Sequence, residues 1–321
     1  MDDNKYSDIN SNSPFRITIN KLFKKKLAVA SIIILLILYG SGIFASFLAP
    51  YPYTETDLKN TQEGPSKEHF FGTDRLGRDI FTRVLWGIQT TVIVTFVGLL
   101  TGSLILGVSL GLISGYFQGK IDALIMRLGE ITSAFPDILL IILLAATLRP
   151  RIVDFARDIE EKTGISGLIS SGFIDYVVIG FALLPLSWFG MMRLVRGQVL
   201  SVANSEYIES AKAMGVSKTR ILIKHVFPNI LGPIIVSATF GLGAVAGTEI
   251  ILSFFGLGVQ PPRPSLGIMI SDVTGRGAAS VSVLKNHPEQ LLAPIIVVWL
   301  LIFCWNLLGD ALTDVFNPRS K

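Results

Sequence analysis

The sequence predicts an all-α integral membrane protein of six transmembrane helices, with a polar helical hairpin between the fourth and fifth. Three observations predict it. Half of the 321 residues are apolar, 16% are charged and the mean hydropathy is +0.57, all displaced from globular averages toward the membrane class. Six windows supply the ~20 mostly apolar residues that a span requires: 27–49, 89–115, 128–148, 173–195, 230–256 and 291–309. Between the fourth and fifth lies EYIESAKAMGVSKTRILIKHVFPN (206–229), which is basic, helical in pattern and nearly free of turn residues.

The leader 1–26 is rich in Asn, Ser and Asp over residues 1–20, which read as disordered, and ends in Lys21, Lys24, Lys25 and Lys26. The first span, 27–49, exceeds the roughly 7–15 apolar residues of a secretory signal, so it reads as retained; Asp2, Asp3 and Asp8 oppose a transit peptide. The lysine cluster places the N-terminus in the cytoplasm, and six spans return the tail 310–321 to the same side. The connection 196–229 agrees independently. Arg193, Arg196, Lys212, Lys218, Arg220 and Lys224 at and within it oppose only Glu206 and Glu209. The outer connections 50–88, 149–172 and 257–290 mix their charges. The expected location is therefore the cell membrane, crossed repeatedly, with both termini inside.

The formal charge of +4 raises nucleic acid as a partner, but the basic residues gather at the ends of apolar runs, so that class is set aside. A single Cys304 allows no disulfide framework, and His69, His225 and His287 are too scattered for a metal site.

Within the core domain 89–309, Ser103, Gly107, Gly111 and Gly115 form one i, i+4 row that admits a neighbouring helix backbone; Gly243 and Gly247 repeat the device, and Pro185 predicts a kink. In the second outer connection, Ile152, Phe155, Ala156 and Ile159 fall at helical spacing before Gly164 and Gly167, predicting a short amphipathic helix on the outer surface. Nothing resembles an internal repeat.

In the hairpin 204–228, Asn204 or Ser205 can cap a helix from Glu206 to Met214, and Gly215 supplies its stop. Ser217 can cap a second helix from Lys218 to Phe227, and Pro228 then opens the fifth span. Tyr207, Ala211 and Met214 share a stripe with Ile208 beside it. Short helices are marginal in water, so a partner surface is the natural support; a solvated connector on lipid headgroups is the alternative.

Glu209, Ser210, Ala211, Gly215 and Pro228 resemble the EAA signature of permease subunits in ABC importers, with Ser210 and Phe227 standing where the pattern has Ala and Leu. HFFGTDRLGRDIFTRVLWGIQTT (69–91), LSFFGLGVQPPRPSLGIMI (252–270) and NLLGDALTDVFNPR (306–319) are similar to blocks of the peptide/nickel-type permeases, specifically the C-type partner of a heterodimer. The resemblance runs from about residue 14 onward; Gln89 stands where the family usually has arginine, and the loop 149–172 is longer than usual.

The resemblance implies a non-catalytic subunit that pairs with a second, homologous permease. It implies a coupling hairpin, carried by Glu209, Ser210, Ala211, Met214, Gly215 and Pro228, docked on one of two cytoplasmic ATP-binding subunits. ATP and Mg would sit on those partners, none on this chain, and an extracytoplasmic solute-binding protein would deliver cargo. Peptides are the expected cargo, with nickel complexes or sugars as alternatives.

The remaining blocks are read from their chemistry. Gly72, Thr73, Asp74, Gly77, Arg78 and Asp79 predict a capped extracytoplasmic turn, with Thr73 or Asp74 starting a helix that carries Arg78, Asp79 and Arg83. No GxxxxGK[ST] loop occurs, so a nucleotide has no recognisable cradle here. Contact with a binding protein is the rival role for this turn. Gln260, Pro261, Pro262, Arg263 and Pro264 form a stiff segment suited to holding the outer mouth or its gate. Glu249, inside the fifth window, either hydrogen-bonds structurally or lines the translocation path. Glu130 beside Arg127 reads as a salt-bridged helix end. Asp310 and Asp314 oppose the dipole of the last helix, which suggests cationic partners or a solvated pair. A self-powered secondary transporter is the rival function; apart from Glu249 the spans offer no proton relay. A membrane enzyme lacks an HExxH pair or clustered His/Asp/Glu.

Overall fold

The computed structural model describes residues 14–316 except 165–166, 170 and 276–277. Its regular elements are helical, with one isolated bridge, Thr73 to Asp79, among the described residues. In chain order they are α1 (Pro14–Phe23), α2 (Lys26–Ile43), α3 (Ile80–Phe117), α4 (Gly119–Ser133), α5 (Asp137–Thr163) and α6 (Phe173–Ala203). Then come α7 (Glu206–Ala213), α8 (Lys218–Phe254), α9 (Leu266–Thr274), α10 (Ala278–Asn286) and α11 (Glu289–Phe316). Four of these, α2, α3, α8 and α11, are long and apolar enough to cross a membrane alone. The pair α4 and α5, bent by 87°, and the two halves of α6, bent by 44° at Pro185, qualify only as broken spans, giving up to six.

Helix α3 lies against α6 along the glycine row. A Cβ on Gly107, Gly111 or Gly115 would fall within 2.6–2.8 Å of Met191, Val195 or Val199, which recur at the same four-residue spacing. Hydrocarbon gives helices no hydrophobic reason to associate, so contact this close is what holds them. Ser103 adds a hydrogen bond to the Ser187 carbonyl at 2.9 Å. The second row is looser: Gly243 and Gly247 face Trp305 and Ile302 of α11 at 3.2 and 3.6 Å. α3, α6 and α8 form the centre. α2 and α11 flank it through Leu35, Tyr39, Leu301 and Cys304. α4 flanks it through Ile125 against Trp188, Phe189 and Met192, and α5 through Ile141 and Ala145.

Four expectations change. Pro14–Phe23 of the leader is helical rather than disordered; residues 1–13 lie outside the described residues. The third window is not one straight span, because Pro136 sits at its centre and the chain turns there. The outer amphipathic helix is no separate element: α5 runs on through Pro150 to Thr163 and stops where Gly164 turns left-handed, with Ala156 buried and Phe155 exposed. The second hairpin helix is the beginning of α8 itself, and a π-helical stretch, Leu222–Val226, lets the helix pass Pro228, whose nitrogen has no hydrogen to donate.

The seam makes a direct forecast. Gly111→Val should lower stability by about 1–3 kcal/mol through overpacking, whereas Gly190→Ala, with no atom within 4 Å of the new Cβ, should not. Thermal unfolding of both in detergent checks this; equal midpoints would refute the seam.

Candidate functional site

The hairpin is α7, a left-handed turn and the first turns of α8. Gly215 has φ +76° and closes a paired cap: its own N–H donates to Lys212 O at 3.0 Å, and Val216 N–H donates to Ala211 O at 3.1 Å. Ser205 and Ser217 occupy the N-cap positions with extended backbone but make no side-chain cap bond. Ser205 instead donates to Val202 O at 2.6 Å. The stripe of Tyr207, Ala211 and Met214 is divided between the bundle and the surface. Ile208 and Ala211 are buried among Val195, Val199, Ile221 and Val226, while Tyr207 and Met214 point away, 47% and 76% exposed. Of the residues assigned to coupling, Glu209, Ser210, Met214, Gly215 and Pro228 are therefore exposed and Ala211 is the buried contact beneath them. Tyr207 receives a hydrogen bond from Asn229 at 3.2 Å, joining the two arms.

At the opposite end of the bundle, the turn 72–79 is closed by Asp74. Its Oδ1 accepts from the N–H groups of Leu76 and Arg78 at 2.8 and 3.1 Å, and its Oδ2 accepts from Arg78 Nε at 2.7 Å. Helix α3 begins only at Ile80, so neither Thr73 nor Asp74 is its cap. Asp79 is, accepting from Thr82 N–H at 2.7 Å while His69 Nδ1 lies 2.9 Å from its other oxygen. The bridge from Thr73 to Asp79 folds the chain back before helix can form. Gly72 and Gly77 are left-handed, and a Cβ on Gly77 would lie 1.7 Å from Asp57 O. Arg78 also reaches Asp272 of α9 at 3.5 Å, and Gln290 of α11 donates to Thr73 O at 3.2 Å.

The proline segment is pinned through Gln260 and Arg263. Arg263 donates to Ser171 O at 2.6 Å and to Gln89 Oε1 at 2.8 Å, with its guanidinium 5.5 and 5.6 Å from the rings of Trp86 and Tyr176. The Gln260 amide N–H donates to Asp175, which is paired with Arg149 at 2.8 Å. The Gln260 side chain donates to Gly256 O and Gly258 O, so it serves its own loop. Glu249 is 0% exposed; Thr91 donates to one carboxyl oxygen at 2.8 Å and Ser253 to the other at 2.7 Å. Both carboxyl oxygens are thus engaged, as the structural alternative expects.

Sequence reasoning named the Arg127–Glu130 pair but missed the partners of Asp314 and Asp122. Asp314 pairs with Lys25 of the same chain at 2.5 Å. Arg127 lies 3.9 Å from Glu130, both exposed. Asp122 receives two hydrogen bonds from Arg196, 74 positions away. Gly107, Ser109 and Gly111 match the spacing of a hydrolase GxSxG motif, but they lie mid-helix, where the glycines form the seam and Ser109 is exposed on another face.

Residues 107–321 match the family described as binding-protein-dependent transport system inner membrane component, and residues 13–65 match the N-terminal TM domain of oligopeptide transport permease C. Among similar proteins is the dipeptide transport system permease protein DppC of Alkalihalophilus pseudofirmus, 38% identical over 309 residues, 96% of this chain and 91% of the relative. The oligopeptide transport system permease protein OppC of Haemophilus influenzae is 36% identical over 303 residues, 94% and 87% of the two chains. The glutathione transport system permease protein GsiD of Pectobacterium atrosepticum is 34% identical over 312 residues, 96% and 92%.

Replacing Glu249 separates its two readings. Glu249→Ala strips Thr91 and Ser253 of their shared acceptor and should cost about 1–3 kcal/mol, read as a lower thermal midpoint. A variant of unchanged midpoint that transports poorly would instead favour the path-lining role.

Proposed function

The chain belongs to the binding-protein-dependent transport system inner membrane components, non-catalytic permease subunits of ABC importers, and from that premise we propose that it forms half of a path for peptides. A homologous permease supplies the other half, and two cytoplasmic ATP-binding subunits drive the pair. One observation carries this reading. The hairpin buries Ile208 and Ala211 in the bundle and turns Glu209, Ser210, Met214 and Gly215 outward, so a surface offered to a partner is fixed rigidly to the spans. Closure of the ATP-binding subunits then shifts the spans by differential contact in the two states. The basic residues around the hairpin support its cytoplasmic placement, and with it that of both termini.

Peptide cargo is supported by the names of the relatives, whose dipeptide, oligopeptide and glutathione are all peptides. A separate binding protein selects among such cargoes at the opposite end, where Gly72, Asp74, Gly77, Arg78 and Asp79 form the ordered turn nearest to it. Glu249 and Gln260 act as supports of the outer mouth in this reading rather than as substrate contacts.

Affinity purification of the tagged chain from mild detergent should recover a second permease and an ATPase. Gly215→Val, which strains a left-handed residue but meets open space, should leave the chain inserted and abolish ATP-driven uptake. A chain that purifies alone and transports in vesicles without ATP would refute the proposal in favour of a secondary transporter.

A further inference from the structure

Arg196 and Asp122 meet at the hairpin end of the bundle in a fork: Nε to Oδ1 and Nη2 to Oδ2, both 2.6 Å. The Ser114 hydroxyl donates to the same Oδ1. The side chains are 29% and 15% exposed, so solvent screens them only in part. Three helices are joined here, Ser114 on α3, Asp122 in the first turn of α4 and Arg196 on α6.

The α3 and α6 ends also adjoin the hairpin and the seam. Gly115, next to Ser114, abuts Val199 and the Arg196 carbonyl. Lys212 of α7 donates to Ala203 O at the end of α6 at 3.3 Å and lies 6.0 Å from the ring of Tyr116. Lys218 lies 5.7 Å from the ring of Phe117. α4 has fewer holds. Gly129 fits under the Phe189 ring and Ile125 packs beside Trp188 and Met192, and then the chain turns 87° into α5.

We infer that the Asp122–Arg196 pair is a positioning lock, which makes α4, the hairpin and the adjoining ends of α3 and α6 one body that swings about the breaks at Pro136 and Pro185. This rests on the coupling reading of the hairpin. A bidentate guanidinium–carboxylate pair fixes orientation as well as distance, which a lysine cannot. It therefore holds the roll of α4 as well as its position. With the lock intact, displacement at Met214 and Gly215 reaches α4 and the turn into α5. Without it, α4 slips on α6 while the hairpin still follows the ATPase, and ATP is hydrolysed with little transport.

The test uses the complete transporter in vesicles, with a dipeptide as probe. It measures peptide moved per ATP hydrolysed, and cross-linking of Met214→Cys to the ATPase subunit. Asp122→Asn should lower the transport ratio about tenfold with the cross-link unchanged, and Arg196→Lys should do the same. Exchanging the charges, Asp122→Arg with Arg196→Asp, should recover part of the ratio. A wild-type ratio in Asp122→Asn overturns the lock. If Asp122→Asn fails to accumulate, Arg196→Lys decides: a wild-type ratio there is equally fatal. An unmutated lock whose hairpin never cross-links would sink the coupling reading itself, a separate failure.

Discussion

Everything in this bundle depends on how closely α3 can approach α6. In hydrocarbon, helices gain little from hiding apolar surface from one another, so association rests on dispersion contacts and on the few hydrogen bonds available. Gly107, Gly111 and Gly115 remove the side chains that would keep the backbones apart, and Met191, Val195 and Val199 occupy the space released. The seam fixes the relative height of the two helices to within one turn. That height sets where their hairpin-side ends lie, and those ends carry α7, Lys212 and the Asp122–Arg196 pair.

The two ends of the bundle are built differently. At the hairpin end, exposed residues sit on a short helix whose other face is sealed by Ile208 and Ala211, so the surface is both accessible and firmly based. At the other end, charged side chains turn inward on the chain: Asp74 closes its own turn, Asp175 holds Arg149 and the Gln260 amide, and Arg263 reaches across to Gln89. One end is arranged to be pushed and the other to keep its shape.

Much of this was legible because glycine, proline and apolar runs act locally. Gly215 and Gly164 end their helices as expected, and the Ser103 to Gly115 row faces a helix. Which helix it faces was not legible, because i, i+4 spacing marks a face without naming its neighbour. Hydropathy averaged over 128–148 concealed the break that Pro136 makes within it. On the eight-residue α7 several directions are apolar, so helical spacing alone could not tell that Ala211, on the stripe with Tyr207 and Met214, turns into the bundle with Ile208 while the other two stay exposed. Asp122 carried no signal at all, since its partner is 74 positions away and no periodicity links them.

The contact of Lys25 with Asp314, and that of Trp305 Nε1 with Tyr39 OH at 2.8 Å, join α2 to α11. Among the described residues these are the first and last helices, in chain order, that are long and apolar enough to cross a membrane. Chains emerge from the N-terminus onward, so α2 is made well before the α11 residues with which it pairs. The α2–α11 contacts therefore form only after the intervening helices have been made, which places the closing of this flank late in assembly.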